Sequence, residues 1–524
     1  MKTKQSFDYS VIADNYNEIF YFESLLVIFN GFDKTPIWIA LFSIFVIISF
    51  QIKKKTDISY TYFLPKKILI LIAGLYLLLA FDFVVQFDET ANFFRSIYYH
   101  YRPKTNNIDF ESIKTEYPFL IEEPNHSPLA TKQPHIFLIM IESFNADIIN
   151  KRTSDGREYT PFFNELVSKG RYIKRFYGNS IQTAKGHFAS LFSLIPLYKG
   201  KVFRQYADNN FISLADCLSQ AGYYNTFING QYSARFDNVE YMMLNNGFDV
   251  YLPGKELIPK SETDAWGTWG IIDAELYRSV FKYLDNSSNK DTPHFVTITP
   301  TFHHVPFSLP KEKREFYKNP SSMKKRYANS IKFVDNGLKV FFQELDKRPE
   351  FENSIIIITG DHAYPIGDHG INYNEVGYFE QSFRIPCLLI WKNQITPFLD
   401  STNTFSQIDM APTILKIIDA MPKSHHFQGQ NMLSNSPQDK LIYLVQPYNG
   451  TILACIDYPY KYIKRIHTNE EWLFNLKNDI GEKRNLIHQK KYTSTIEKLR
   501  DSINYIFINQ YLIENNRIFP ESSE

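Results

Sequence analysis

Ser354-Ile355-Ile356-Ile357-Ile358-Thr359-Gly360-Asp361-His362 is the stretch whose reading decides the fold. Residues 354–359 read as a strand, and the strand end aims a carboxylate and an imidazole at one point, a favoured location for active-site groups in α/β folds. Downstream, Asp368-His369-Gly370 closes a loop containing Gly and Pro. The Asp361-His362 pair has the form of half a metal site.

The other half belongs on another strand. After Pro134, the run His135-Ile136-Phe137-Leu138-Ile139-Met140-Ile141 is almost wholly apolar, as a strand buried on both faces would be, and it ends at Glu142-Ser143-Phe144. Glu142 is the first acidic group past that core strand. Any one Asp, Glu or His near a loop reads equally as a capping or solvated residue. Two buried strands delivering Glu, Asp and His at equivalent ends read as a site.

Between them, Thr160-Pro161 opens a helix that Gly170 stops, and a strand over 171–177 leads into Gly178-Asn179-Ser180-Ile181-Gln182-Thr183. Thr183 stands where a second helix, running to about 194, begins. On local sequence it is an N-cap; it is also well placed to attack phosphorus, because free N–H groups and the helix dipole stabilise phosphate oxygens there. Further strands and helices alternate: a helix over 213–221, a strand over 223–228, a helix over 273–284, a strand over 294–299 and a long helix over 322–345. The alternation predicts an α/β fold with a mostly parallel sheet and helices on both faces. Past 438, runs at 441–445, 451–456 and 460–466 predict a small C-terminal antiparallel sheet, capped by one helix over 493–509.

The order strand-Glu142, Thr-Pro helix, Thr183, strand-Gly-Asp-His resembles the alkaline phosphatase and sulfatase superfamily, specifically its lipoteichoic acid synthase-like branch of membrane phosphoglycerol transferases. The resemblance runs from about 134 to 486 and includes Tyr327-Ala328-Asn329-Ser330-Ile331, Arg384-Ile385-Pro386, the segment from Ser406 to Leu415, and Trp472-Leu473-Phe474-Asn475-Leu476. It implies that Glu142, Thr183, Asp361 and His362 bind one divalent ion, with Thr183 as nucleophile. His304, in His303-His304-Val305-Pro306-Phe307, matches the family's His-x-Pro-aromatic element and would protonate a leaving alkoxide, a role His303 could hold instead. The two-carboxylate, hydroxyl and imidazole set suits Mn²⁺, with Zn²⁺, Mg²⁺ and Ca²⁺ open. His369 is a candidate for a second-metal or phosphate contact, or for a structural role.

The implied reaction moves a phosphoglycerol-type head group from a phosphatidylglycerol-like phospholipid to a glycan or polymer acceptor. Two departures bear on it. Sulfatases carry Cys/Ser-x-Pro-x-Arg where this chain has Thr183-Ala184-Lys185-Gly186-His187, which argues against sulfate ester hydrolysis. The glycerol-binding Trp and Arg expected after Asn229-Gly230 are replaced by Ser233-Ala234-Arg235-Phe236-Asp237-Asn238. Arg235 and Asn238 are therefore candidate substrate contacts with His303 and His369, and phosphoethanolamine transfer or hydrolysis of a phosphodiester or sulfate ester stay as alternatives.

Residues 1–90 read as a membrane segment with two spans, about 36–52 and 68–87, each near the ~17 residues that crossing requires. Lys53, Lys54, Lys55, Lys66 and Lys67 lie between them. The positive-inside rule puts that loop in the cytoplasm and the catalytic region outside it, on a cell membrane. Met1 is followed by polar sequence, so no cleavable signal peptide is expected. Residues 91–132 read as a connector with a helix over 91–101 and an irregular Pro-containing remainder, 133–435 as the catalytic domain, and 436–524 as its completing sheet and helix. With 57 basic against 56 acidic residues there is no electrostatic case for nucleic acid. The three cysteines, Cys217, Cys387 and Cys455, are sparse and odd in number, which argues against a disulfide framework.

Overall fold

Alternate side chains of the two apolar runs go to opposite faces of one sheet. Ile136, Leu138, Met140, Ile355 and Ile357 join one hydrophobic cluster, and Phe137, Ile139, Ile141, Ile356 and Ile358 join another. The computed structural model describes residue 110 and residues 113–123, 133–233, 236–289, 292–434 and 440–521. Both expected membrane spans, the helix expected over 91–101 and Arg235 lie outside the described residues. Among the described residues, no helix is long and apolar enough to cross a membrane.

In chain order the strands are β1 (Ile121–Glu122), β2 (His135–Ile141), β3 (Arg171–Tyr177), β4 (Tyr224–Asn229), β5 (Val250–Pro253), β6 (His294–Thr299), β7 (Ser354–Gly360), β8 (Cys387–Trp391), β9 (Phe398–Ser406), β10 (Ser424–His425), β11 (Ile442–Gln446), β12 (Ile452–Asp457), β13 (Tyr460–Arg465) and β14 (Glu470–Asn475). The large sheet has the order β5-β4-β6-β2-β7-β8-β3-β9. Every neighbouring pair is parallel except those of β8, which runs against both β7 and β3. β2 and β7 pair from His135 opposite Ser354 to Ile141 opposite Gly360, at the sheet centre, where both faces are covered.

Helices cover each face. Thr183–Phe192, Leu214–Gln220 and Met410–Ile417 contribute to the first cluster, and Pro161–Val167, Asp273–Asp285 and Met323–Leu345 to the second. The helix after Ser213 is closed by a reciprocal capping box with Asp216.

Several expectations are corrected. The C-terminal helix is two helices, Thr493–Ser502 and Asn504–Glu514, and the small sheet has a fourth strand, β14. Trp472 and Leu473 were legible only as part of a motif, because a strand of the order Glu-Glu-Trp-Leu-Phe-Asn has no clean period of two. The expected irregular connector contributes β1, paired antiparallel to β10. Its residues 113–116 are also tied to the C-terminus, where the Arg517 guanidinium donates to the carbonyls of Ile113, Thr115 and Glu116.

The small sheet is bolted to the large one by a buried charge network. Lys461 Nζ on β13 lies 2.9 Å from Glu482 Oε1 and 3.2 Å from Glu380 Oε1, and Tyr177 at the end of β3 donates to Glu380 Oε2 at 2.7 Å. The Lys461 side chain is fully buried. Lys461→Met strands two carboxylates, and it is expected to cost about 3–5 kcal/mol in denaturant unfolding of the purified protein. The double substitution Lys461→Met/Glu482→Leu should recover part of that loss.

Candidate active site

Because β2 and β7 end side by side, Glu142 and Asp361 leave the sheet as neighbours. The Asp361 N–H donates to the Ile141 carbonyl at 3.2 Å and the Glu142 N–H to the Pro300 carbonyl at 3.3 Å, which ties together the chain beyond β6, β2 and β7. Ser143, at φ 54°, then turns the chain so that its N–H donates to Asp361 Oδ1 at 2.8 Å while its hydroxyl donates to Glu142 Oε1 at 2.6 Å. The His362 N–H donates to the same Asp361 Oδ1 at 2.7 Å. Ligand atoms of Glu142, Asp361 and His362 all lie within 4.8 Å of one another. His362 Nε2 is 3.4 Å from Glu142 Oε1 and 3.6 Å from Asp361 Oδ2.

The donor set fits a divalent cation. His362 Nδ1 lies 2.8 Å from the Ala363 carbonyl, which holds the proton on Nδ1 and leaves the Nε2 lone pair facing the carboxylates. Asp361 Oδ2 is buried with no hydrogen-bond partner. Leaving a carboxylate oxygen so is costly unless a cation takes it up.

The electrostatics say the same. Burial, reinforced by the Glu142 charge, raises the Asp361 carboxyl to about 7 against the opposing pull of His362 and two N–H groups. For His362, burial works against the charged form, but Asp361 and Glu142 outweigh it and raise the imidazole to about 9. Burial also acts to raise Glu142, yet the neighbouring His304 and His362 hold it below the ordinary carboxylate range. Protons thus occupy the place where a metal charge would otherwise compensate two carboxylates.

Thr183 is the first residue of the helix Thr183–Phe192, with Gln182 at the N-cap, so it is a first-turn residue and not the cap. Its Oγ1 donates to Glu142 Oε2 at 3.3 Å. The helix rests directly on the Asp361 backbone: a Cβ at Gly186 would stand 1.9 Å from the Asp361 carbonyl oxygen. Gln407 Nε2 donates to the Gly360 and Asp361 carbonyls at 3.1 and 2.6 Å, while its Oε1 accepts from the Asn179 N–H at 3.2 Å. The Val445 N–H of β11 donates to the Asn179 carbonyl at 2.9 Å, so the small sheet steadies the loop before Thr183. Tyr327 Oη donates to the Ser143 carbonyl at 2.9 Å and accepts from the Asn145 N–H at 3.0 Å, buttressing the Glu142 turn.

Glu142, Thr183 and His304 line one cleft together with His187, Asp237 and Trp269. His304 Nδ1 lies 2.9 Å from the Val305 carbonyl, and its ring sits 4.2 Å from that of Trp269. His303 is elsewhere. It is buried against Tyr327 and Phe307, its Nδ1 is 2.7 Å from Ser330 Oγ, and burial lowers it to about 3. Of the two alternatives, His304 is the one that lines the cleft. Asn238 gives its amide to the Phe203 carbonyl at 2.6 Å, and His369 stacks on Phe379 at 4.0 Å with Nε2 at 2.5 Å from the Gly481 carbonyl. Neither residue is among those lining the cleft.

His187, Asp237 and Trp269 were missed as site residues. The first had a legible signal, since four residues after Thr183 on a helix is the same face. Trp269 arrives from a loop distant in sequence from every motif, and nothing local marks it.

A large α/β sheet that brings two carboxylates, an imidazole and a hydroxyl to one set of strand ends defines the architecture of the alkaline phosphatase superfamily. The sulfatase family profile matches residues 134–420, and the C-terminal profile of N-sulphoglucosamine sulphohydrolase matches residues 367–508. The chain belongs to the sulfatase family. It is 28% identical over 377 residues to the lipoteichoic acid synthase of Staphylococcus saprophyticus, covering 66% of this chain and 54% of that protein. It is 26% identical over 318 residues to the lipoteichoic acid synthase-like YvgJ of Bacillus subtilis, covering 58% and 50%. The chain thus spans about half the length of these curated relatives. Among solved structures it shares its fold with an alkaline phosphatase superfamily protein of Vibrio parahaemolyticus (TM-score 0.63, 23% identity, covering 80% of this chain and 95% of that one). The lipoteichoic acid synthase LtaP of Listeria monocytogenes is also similar (TM-score 0.60, 19% identity, covering 76% and 95%).

With Asp361 raised from 3.8 to about 7 and His362 from 6.5 to about 9, the metal-free folded chain holds protons that the unfolded chain has released. These two groups therefore contribute stability that is lost as pH rises from about 4 to about 9, and saturating Mn²⁺ should remove that contribution, so that the stabilisation by Mn²⁺ over EDTA grows across the same range. Thermal unfolding across pH with Mn²⁺ or with EDTA reads this; identical slopes would exclude the triad as a cation site. Gly186→Ala, which drives a methyl into the Asp361 carbonyl, should cost about 1–3 kcal/mol and weaken the Mn²⁺ response in the same assay.

Proposed function

We propose that the protein is a membrane-anchored, metal-dependent phosphotransferase that moves a phosphoglycerol-type head group from a phosphatidylglycerol-like lipid to an extracytoplasmic glycan or polymer, through a phosphothreonine intermediate. The observation that carries this reading is the Thr183 hydroxyl on the cleft wall, hydrogen-bonded to Glu142 at 3.3 Å, with His304 on the same wall. The relatives named lipoteichoic acid synthase support it, as do the lysine-flanked apolar runs of the N-terminal region.

Glu142, Thr183, Asp361 and His362 would hold one divalent ion, Mn²⁺ by the softness of the set. When bound, it lowers the pKa of a ligating hydroxyl and neutralises a phosphate oxygen. The residues of the chain do the rest. Thr183 Oγ1, its proton released to solvent on ionisation, forms a bond to phosphorus, and the bond from phosphorus to the diacylglycerol oxygen breaks. His304, its Nδ1 turned to the Val305 carbonyl, presents Nε2 and gives the leaving alkoxide a proton. The acceptor hydroxyl then returns a proton to His304 as it displaces Thr183. First-turn N–H groups of the helix Thr183–Phe192 face the phosphate oxygens with the positive end of the dipole.

Thr183, Lys185 and His187, where the Cys/Ser-x-Pro-x-Arg pattern has Cys/Ser, Pro and Arg, favour this chemistry over sulfate ester hydrolysis. Incubation of the purified protein with Mn²⁺ and labelled phosphatidylglycerol tests the proposal. Thr183→Ala should lower diacylglycerol release at least about a thousandfold, and equal release from both proteins would end it. His304→Gln should lower it about 10²–10⁴-fold, with a smaller loss on a p-nitrophenyl ester whose leaving group needs no proton.

A further inference from the structure

His187 is the polar group of the cleft for which the steps above have no use. It lies one helical turn beyond Thr183, is 2% exposed, lines the same cleft, and has no hydrogen-bond partner at either Nδ1 or Nε2. Its ring is held edge-on to Phe227, with centroids 5.6 Å apart. A buried imidazole with two empty nitrogens is costly, and in native proteins such a group calls for a partner from outside the chain.

Asn229, Thr299 and Asp237, which share the cleft wall with it, are satisfied. Asn229 gives its amide to Tyr251 Oη at 2.9 Å and its oxygen accepts from the Gln231 N–H at 2.9 Å, while Thr299 Oγ1 donates to the Ile228 carbonyl at 3.3 Å. Asp237, the carboxylate on this wall, is paired through both oxygens with the buried Lys201 ammonium at 2.7 and 2.8 Å. A cationic substituent therefore finds no uncompensated carboxylate there. A neutral imidazole offers one donor and one acceptor, the complement of a hydroxyl.

We infer that His187 is a specificity-determining residue that hydrogen-bonds a hydroxyl of the transferred head group, selecting neutral, hydroxyl-bearing phosphoesters over amine-bearing or apolar ones. The inference rests on the phosphotransferase reading of the site and names the group that would take over recognition where the expected Trp and Arg are lacking.

Calorimetric titration of the full-length protein in Mn²⁺ with inorganic phosphate, glycerol phosphate, propyl phosphate and ethanolamine phosphate tests it without turnover. The wild type should bind glycerol phosphate about tenfold tighter than propyl or ethanolamine phosphate. His187→Phe should bring glycerol phosphate down to the propyl phosphate level and leave inorganic phosphate unchanged, and His187→Gln, which keeps a donor and an acceptor, should restore part of the preference. Inorganic phosphate binding without discrimination among the three esters in the wild type overturns the role of His187 alone. An equal loss for all four ligands in both variants overturns it too, as a structural effect. Failure of the wild type to bind any of the four overturns the phosphoryl site and this inference with it.

Discussion

The structure turns on one electrostatic constraint: two carboxylates and an imidazole, all nearly inaccessible to water, share a space 4.8 Å across. Such a group cannot carry its full negative charge unaided, because Coulomb repulsion between buried carboxylates is screened far less than at a surface. Protons or a cation must fill the deficit, and the upward displacement of both Asp361 and His362 is the proton solution. Asp361 Oδ2, which no protein donor reaches, marks where the charge is wanted.

Much of the surrounding architecture holds this arrangement in place. Parallel pairing of β2 with β7 sets the two strand ends level, and the Ser143 turn spends its N–H on one carboxylate and its hydroxyl on the other. Tyr327, from the helix Met323–Leu345, secures that turn, while Gln407 secures the Gly360-Asp361 backbone and the loop before Thr183. The small antiparallel sheet belongs to the same scheme, since β11 fixes the loop at Asn179 and the buried Lys461 fixes the chain leading into β8. Catalytic geometry must hold within fractions of an ångström, so support of this density is what a preorganised site requires.

What was legible in the sequence follows the same logic. Strands buried on both faces announce themselves by composition, and β2, β6 and β7 lie within a residue of where their runs place them. The ends of those strands, and hence Glu142, Asp361 and His362, follow at once. β8 and β9 were not legible, because β8 is entered from the site loops against the direction of its neighbours and β9 has a largely exposed, polar face. Sequence favoured His304 over His303 only through its match to a motif; packing shows one turned into the core against Ser330 and the other into the cleft against Trp269. Gly186 is similar: a glycine in a helix reads as a weak point until the Asp361 carbonyl is seen where its side chain would be.

The cleft is polarised, and the polarity bears on the chemistry. Glu142 and Thr183 line it beside the cation-type triad; of the other lining residues, Asp237 is neutralised by Lys201 and His187 is kept from charging by its burial, with an imidazole lowered to about 4. A further uncompensated charge on this wall would compete with the triad or attract an ion of its own. A neutral wall leaves the strongest field at the triad and lets a ligand be sorted by hydrogen bonds, whose geometry discriminates more finely than charge.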